Sequence, residues 1–586
     1  MRMLFKDADY NLAKLTEDIN SGVIGLPDIQ RPFVWKDVDV RNLFDSMYRG
    51  YPVGYLLFWE NAHQMHTRTV AEDTDTRRPP RFLIVDGQQR LTSLFAVVKE
   101  KQVVRKNYEK EYIVVAFNPL SDTFEIPDAS IKNNPEWIPN ISKIWSSGKT
   151  EYDFISEYLD NLKKTRTLTD EEEKKIKRAI SELNGLLRFQ FSALEIDAST
   201  SEEEVAQIFV RINSKGKRLK ETDFILTLMS VFWDEGRFEL EDFAKAAKVP
   251  AEGTATAFNY IFQPDPDQML RVAIGLGFKR ARMKYAYSIL RGKDLQTEDF
   301  SEERRDQQFG VLKEVQAKVL NLNNWHEFLK ALKGAGYTRE ALITSAYNVM
   351  YAYTLFLIGK YDFKMEAPEL RKLTAYWFYF ISLTGRYTGS AETQMEEDLN
   401  SIEKSRLIGQ QLERILNRII NTEITSDYWN ITLPTSGLVS GAARNPAMFA
   451  YYAALNILGA KVLFSNLTTT QLIENGVREN RAALERHHLF PRKYLKRIGI
   501  EDSAEINQVA NYALVEWSDN NDISDKAPNE YLPAYLVRFQ NEDERKQLYY
   551  WHALPEHWEQ MEYPQFLEAR RKLMAQVIRD AFKKLS

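Results

Sequence analysis

Cysteine is absent from this 586-residue chain. Disulfides and thiolate zinc sites are thereby excluded. Any metal must be held by His, Asp, Glu or Asn, a choice compatible with a reducing cytoplasm. Long apolar runs are also missing. The best of them, Val349 to Gly359, is well short of the roughly 20 residues that span a bilayer. Met1-Arg-Met-Leu-Phe-Lys-Asp7 lacks the apolar region of a signal peptide. The expectation is a soluble, cytoplasmic protein without a membrane partner. Positive charge is not in excess either: 78 Lys and Arg against 83 Asp and Glu leave a net charge of −5. No global field therefore draws nucleic acid, and DNA binding must rest on local patches. Internal repeats and low-complexity tracts are lacking too.

What remains is a globular composition, with 44% hydrophobic and 27% charged residues, on a chain too long for one core. About two to four domains are expected. The N-terminal part is organised around Arg81-Phe-Leu-Ile-Val-Asp-Gly-Gln-Gln-Arg-Leu-Thr-Ser-Leu94. Phe82 to Val85 is the apolar run of a buried strand, and Leu91 to Val98 has apolar residues at helical spacing. Asp86, Gly87, Gln88, Gln89 and Arg90 are then the turn between them. Such a turn aims unpaired N–H groups and the positive end of the helix dipole at one spot, a site for an anion such as phosphate. Gly87 lets a ligand approach the backbone. Arg90 adds a cationic fork, Gln88 and Gln89 amide donors and acceptors, and Asp86 a carboxylate that can hold a metal or orient a water. A polar strand-to-helix turn without a ligand is the competing view.

This segment resembles the Asp-Gly-Gln-Gln-Arg motif of the N-terminal domain of GmrSD-type, modification-dependent (type IV) restriction enzymes, whose fold is similar to ParB and sulfiredoxin. Three further segments match that pattern in the same order: Leu26-Pro-Asp-Ile-Gln-Arg-Pro-Phe-Val-Trp35, Gly50-Tyr-Pro-Val-Gly54 and Phe209-Val-Arg-Ile-Asn-Ser-Lys-Gly-Lys-Arg-Leu219. The resemblance implies a site that binds and hydrolyses a nucleoside triphosphate, whether ATP, GTP or another. Gln30, Arg31, Asp86, Gly87, Gln88, Gln89, Arg90, Asn213, Lys215 and Lys217 would bind the nucleotide, with Asp86 and Arg90 catalytic. On the residues alone, Arg31 could instead pair with a surface carboxylate, and Asn213 to Arg218 could be a basic helix C-cap. His63 and His66 read as loop residues rather than ligands.

Asn11 to Ser21 and Val38 to Arg49 read as amphipathic helices. Tyr55 to Trp59, Glu111 to Phe117 and Leu187 to Leu194 read as strands. Thr169-Asp-Glu-Glu172 is a capping box opening a charged helix to about Leu186, and Glu202 to Arg211 is another helix. From Asp223 to about Asn421 the pattern is nearly all helical. Its basic stretch, Lys279-Arg-Ala-Arg-Met-Lys284, reads as a solvated helix face, with DNA contact as the alternative. Pro434 to Gly437 and Ser440 to Pro446 carry loop signals, and Ala447 to Leu463 an Ala-rich helix.

A second constellation follows: Glu485-Arg-His-His-Leu-Phe-Pro491, then Asn507-Gln-Val-Ala-Asn-Tyr-Ala-Leu-Val-Glu-Trp-Ser-Asp-Asn-Asn521. Paired histidines before a proline turn, a short strand, then Asp and Asn at the start of a helix resemble the HNH, or ββα-metal, nuclease domain that ends the same GmrSD-type enzymes. Asp525-Lys-Ala-Pro-Asn-Glu-Tyr-Leu532 is also in pattern. The resemblance implies that His488 is the general base, His487 the first metal ligand where many relatives carry Asp, Asn520 the second ligand and Asn511 the residue that orients the loop. Asn521 is an adjacent alternative to Asn520. The metal would be Mg²⁺ or Mn²⁺. A satisfied pair of core histidines is the bland reading.

The fold class expected is α+β and predominantly helical. It comprises a ParB/sulfiredoxin-like domain over 1–225, a helical connecting region over 226–427, and an HNH domain embedded in helices over 428–586. The resemblances imply an NTP-dependent or NTP-regulated endonuclease that nicks or cuts foreign, modified phage DNA. Its partners would be DNA, a nucleoside triphosphate and a second copy of the chain in a homodimer. The alternative is a ParB-like nucleotide-sensing switch, or a toxin whose HNH half acts on RNA or is inactive.

Overall fold

A computed structural model describes the chain apart from residues 1–4, 28–32, 34, 61–66, 69–79, 106–108, 201–203, 206–207, 209–220, 251–252, 443, 479–485 and 540. It falls into two units, Met1–Asp234 and Glu235–Ser586. About 61% of it is helical, with a small mixed sheet in the first unit, so the protein is α+β and predominantly helical.

The first unit begins with β1 (Phe5–Asn11), α1 (Leu12–Asn20), β2 (Ile24–Pro27), α2 (Asp37–Tyr48), β3 (Leu56–Glu60), β4 (Thr67–Arg68), β5 (Phe82–Asp86) and α3 (Gln88–Val98). Two antiparallel hairpins follow, β6 (Gln102–Val104) with β7 (Lys110–Tyr112) and β8 (Ala116–Asn118) with β9 (Thr123–Glu125). After two longer helices, β10 (Gln190–Ile196) returns to the sheet. The strand order is β1-β10-β3-β5-β2-β4. β10 runs parallel to β3 and β2 parallel to β5, while the other pairs are antiparallel.

The continuous apolar run of β5 has a direct cause. Successive side chains leave a strand on opposite faces. Phe58 and Ile84 enter a core with Leu12, Leu15, Phe44 and Leu94 of the three helices. Leu57, Trp59, Leu83 and Val85 form a second cluster on the other face. A strand buried on both sides cannot alternate with polar residues.

Several boundaries differ from the sequence pattern. Glu111 to Phe117 is not one strand: its ends belong to β7 and β8, in separate hairpins. The Val115 carbonyl between them accepts from Ile141 N–H at 2.9 Å rather than from a strand neighbour. Leu187 and Arg188 belong to a 3-10 turn, closed by Phe189 N–H to Leu186 O, so the strand starts only at Gln190. Thr169 and Glu172 do form the capping box, ahead of the helix Asp170–Asn184.

In the second unit, the helices Ala346–Tyr361 and Ala367–Thr384 are buried on nearly every side, which explains aromatics spread around their whole circumference. Pro434 to Gly437 is not a loop. It ends a π-helix, Tyr428–Gly437, in which Pro434 lies inside the helix and leaves one N–H position unfilled. This segment packs on the C-terminal helix Tyr563–Leu585, which also packs on Pro446–Ile457. Arg486–His488 (β11) and Tyr512–Leu514 (β12) make a two-stranded antiparallel ribbon, followed by the helix Trp517–Ile523.

Candidate functional site

At the end of β5 the chain turns into α3 through Gly87, whose φ of +98° is the left-handed conformation. A Cβ there would also lie 2.5 Å from Leu56 Cδ2, so only glycine fits. One turn into the helix, Arg90 folds back over the turn. Its Nη1 donates to Val53 O at 2.6 Å, and its Nη2 to Tyr55 O at 2.8 Å and to Asp86 Oδ2 at 3.1 Å. Burial pushes the Arg90 pKa down, and Asp86 opposes that shift. Gly54, at φ +86°, accounts for the glycine of the Gly50–Gly54 motif: a Cβ there would meet Arg90 Nη1 at 2.8 Å. Gln89 Oε1 accepts from Trp35 N–H at 3.3 Å. Three separated motifs thus meet at one turn, Arg90 holding the Val53–Tyr55 segment and Gln89 holding Trp35. Gln30, Arg31, Asn213, Lys215 and Lys217 lie outside the described residues, as do His63 and His66.

The second site is built on β11. His487 is buried, and its Nδ1 lies 2.8 Å from Asn520 Oδ1 on the helix Trp517–Ile523. Its Nε2 is buried without a hydrogen-bond partner among the described residues. Burial pushes the His487 pKa down to about 4. Neighbouring side chains of a strand point to opposite faces, and His488 lies against Tyr512, ring centroids 4.6 Å apart. His488 Nε2 is 3.0 Å from Asn507 Oδ1. Asn507 donates through Nδ2 to Ser503 Oγ and accepts from Tyr512 Oη at 3.2 Å. Its oxygen therefore faces the ring, Nε2 carries the hydrogen, and Nδ1 keeps the lone pair. Burial lowers the His488 pKa, offset in part by the Asn507 hydrogen bond. Asn507 has a role that sequence reasoning missed. Its only signal was a place in an Asn-rich stretch.

Asn511 holds the connection between the two strands. It is fully buried, accepts from Phe490 N–H at 2.8 Å and donates to the carbonyls of Phe490 and Ile506 at 3.1 Å. The C-terminal helix supports the same loop. Tyr563 donates to Glu505 O and Ile506 O, and the fully buried Arg570 donates to Ala510 O at 2.7 Å. Asp519 is the buried acid of the helix that carries Asn520, and both its oxygens are taken by Arg538 at 3.0 Å.

No group of three or more His, Cys, Asp or Glu that could hold a metal occurs among the described residues. His487 with Asn520 is a two-donor set. Their 2.8 Å contact is that of Nδ1–H donating to Oδ1 in the neutral ring, which leaves the lone pair on the buried Nε2. A divalent ion shared by Nδ1 and Oδ1 would have to displace that hydrogen. Asn521, the neighbour, has no such contact with His487 among the described residues.

Residues 12–230 match the family model for the GmrSD restriction endonuclease, N-terminal domain. This supports a GmrSD-type restriction endonuclease family. The match contains all of the Asp86 turn and its partners Trp35, Val53 and Tyr55. An uncharacterised protein of Methanocaldococcus jannaschii is 24% identical over 557 residues, which is 90% of this chain and 87% of that protein. That likeness runs through both units, so it reaches the histidine pair beyond the GmrSD-type domain. Among the described residues no helix is long and apolar enough to cross a membrane.

Proposed function

We propose that the chain is an endonuclease of the restriction type that nicks or cuts foreign, modified DNA with His488 as its general base, under the control of a nucleoside triphosphate bound and hydrolysed at the Asp86 turn. The observation that carries the cutting chemistry is the state of the two histidines. Both are neutral near pH 7 by burial, and His488 presents an unprotonated Nδ1 while Asn507 and Tyr512 hold its other side. A neutral imidazole fixed in one tautomer is suited to take a proton from an attacking water. His487 and Asn520 would hold Mg²⁺ or Mn²⁺, and such an ion, when bound, neutralises charge on the scissile phosphate and on the leaving oxygen. Asn511, with Arg570 and Tyr563 behind it, keeps the loop that carries these groups in register.

For the nucleotide, Gly87 and the first N–H groups of α3 offer an anion cradle, and Asp86 a carboxylate to orient water or metal. Arg90 shapes this cradle by holding the Val53–Tyr55 segment against it. Purified protein incubated with modified or plain plasmid, Mg²⁺ or Mn²⁺, and ATP or GTP tests the reading. Nicking of modified plasmid that is lost on chelation and restored by either ion is the expected result. Full activity in excess EDTA contradicts the metal-dependent part. Hydrolysis of nucleotide without any strand cleavage favours a nucleotide-sensing switch instead.

A further inference from the structure

Two cations of the basic stretch conspicuous in the sequence, Lys279 and Arg280, are paired with acids inside the second unit. Lys279 pairs with Asp362 at 2.8 Å, Arg280 with Glu396 at 2.7 Å, and Arg282 donates to Thr393. The segment after the histidine pair is different. From Arg486 to Ile500 the sequence carries Arg486, Arg492, Lys493, Lys496 and Arg497 and no carboxylate, in a chain of net charge −5. The helix Arg492–Arg497 starts four residues after His488 and buries Leu495, leaving Arg492, Lys493, Lys496 and Arg497 exposed. Arg497 is tied to Asp525, donating to its carbonyl at 2.8 Å. Arg492, Lys493 and Lys496 form no ion pair among the described residues. The charge of Arg492 is felt at His488, where it disfavours the protonated ring.

We propose that Arg492, Lys493 and Lys496 are a track that seats the sugar-phosphate backbone of a DNA strand beside His488, an inference that rests on the nuclease reading of that histidine. Exposed cations without acid partners, fixed on a helix that Leu495 anchors, create a local positive potential that the molecule as a whole lacks. Arg492 and Lys496 lie one helical turn apart, about 6 Å along the axis. One DNA strand advances about 3.4 Å per nucleotide, so the pair reaches phosphates about two nucleotides apart. Arg492 can grip a phosphate with its fork, and the lysines act as point charges. Contacts of this kind set register and affinity and carry no sequence information. Recognition of a modified base belongs elsewhere.

The test uses the full chain carrying His488→Ala in excess chelator, so that no strand is cut, and a fluorescent duplex of about 20 base pairs titrated from roughly 50 to 200 mM salt. Each phosphate contact contributes about 0.9 to the slope of log K against log salt. Adding Arg492→Gln, Lys493→Gln and Lys496→Gln together is expected to make that slope shallower by about 2–3, whereas Arg492→Lys alone keeps it. Equal slopes for the parent and the triple variant overturn the track, as does a parent that binds no duplex or prefers single-stranded RNA. Plasmid nicking by the chain with His488 intact reads the nuclease assignment separately. Nicking with unchanged slopes removes only the track, and a shallower slope without nicking removes only the nuclease reading.

Discussion

The Asp86 turn and the histidine ribbon use polar groups in opposite ways. At the turn the most prominent group, Arg90, is spent on its own protein: two backbone carbonyls and Asp86 take its guanidinium. At the ribbon, the partners of the histidines are arranged so that a nitrogen remains open. Asn507 takes the Nε2 hydrogen of His488 and leaves Nδ1, and His487 keeps a buried Nε2 without a partner among the described residues. A motif residue can therefore earn its place by building a site or by reacting in it. The distinction lies in which of its atoms are already engaged.

Substitutions sort the two regions along two axes, activity and stability. The largest effect is expected from His488→Ala, which removes the proposed base. Strand cleavage should fall by about 10²–10⁴-fold while the unfolding temperature stays near that of the parent. A matching loss of stability would place His488 with Arg90 as a building residue. Next comes Asn507→Ala, which frees the ring of His488 and exposes its tautomer to choice. Cleavage should fall by about 10–100-fold, and Asn507→Asp, which keeps an acceptor oxygen, should recover part of it. Equal losses in both variants would mean that the contact does not orient the ring.

Arg90→Ala is expected to act mainly on stability, since it strands the Val53 and Tyr55 carbonyls. A cost of about 1–3 kcal/mol should appear in denaturant unfolding of the first unit, together with loss of nucleotide hydrolysis. Arg90→Lys should not rescue either, because a point charge cannot span three acceptors. Unchanged stability with lost hydrolysis would make Arg90 a reacting group and erase the contrast. The smallest effect at neutral pH concerns His552, a fully buried histidine of the second unit whose Nε2 contacts Lys461 O and whose pKa burial pushes down to about 3. Its neutral form is favoured in the fold, while the unfolded chain takes the proton near 6.5. The stability it contributes is complete above about pH 6.5 and is lost as pH falls toward 3, by about 1.4 kcal/mol per pH unit. His552→Gln should flatten the fall of stability between those limits, and an unaltered profile would show that this ring does not set it.

Local order was legible where the signal is local. The apolar run Phe82 to Val85 followed by Gly87 and helical spacing announces β5, the turn and α3. The Thr169 and Glu172 box announces its helix, and the histidine pair before Pro491 announces a strand at a turn. What escaped depends on partners distant in sequence. The sequence displays Arg90 as a cation, and its carbonyl acceptors lie in a motif at residues 53–55. Asn507 reaches His488 through the antiparallel ribbon. The Arg492 to Lys496 patch is distinguished from Lys279 and Arg280 by the acids that those two meet in three dimensions, although the carboxylate-free run from Arg486 to Ile500 was there to be counted. Pro434 and Gly437 read as a loop because no composition rule points to a π-helix.

The central claim is that one chain carries two separate chemistries, a cutting centre at His488 and a nucleotide site at Asp86. The most direct measurement follows nicking of modified plasmid and hydrolysis of nucleotide in parallel for the full chain, for His488→Ala and for Asp86→Asn. The account predicts that His488→Ala stops nicking and hydrolyses nucleotide at the parental rate, while Asp86→Asn stops hydrolysis. Nicking by His488→Ala at the parental rate, or loss of both activities in that variant with its fold intact, would contradict it.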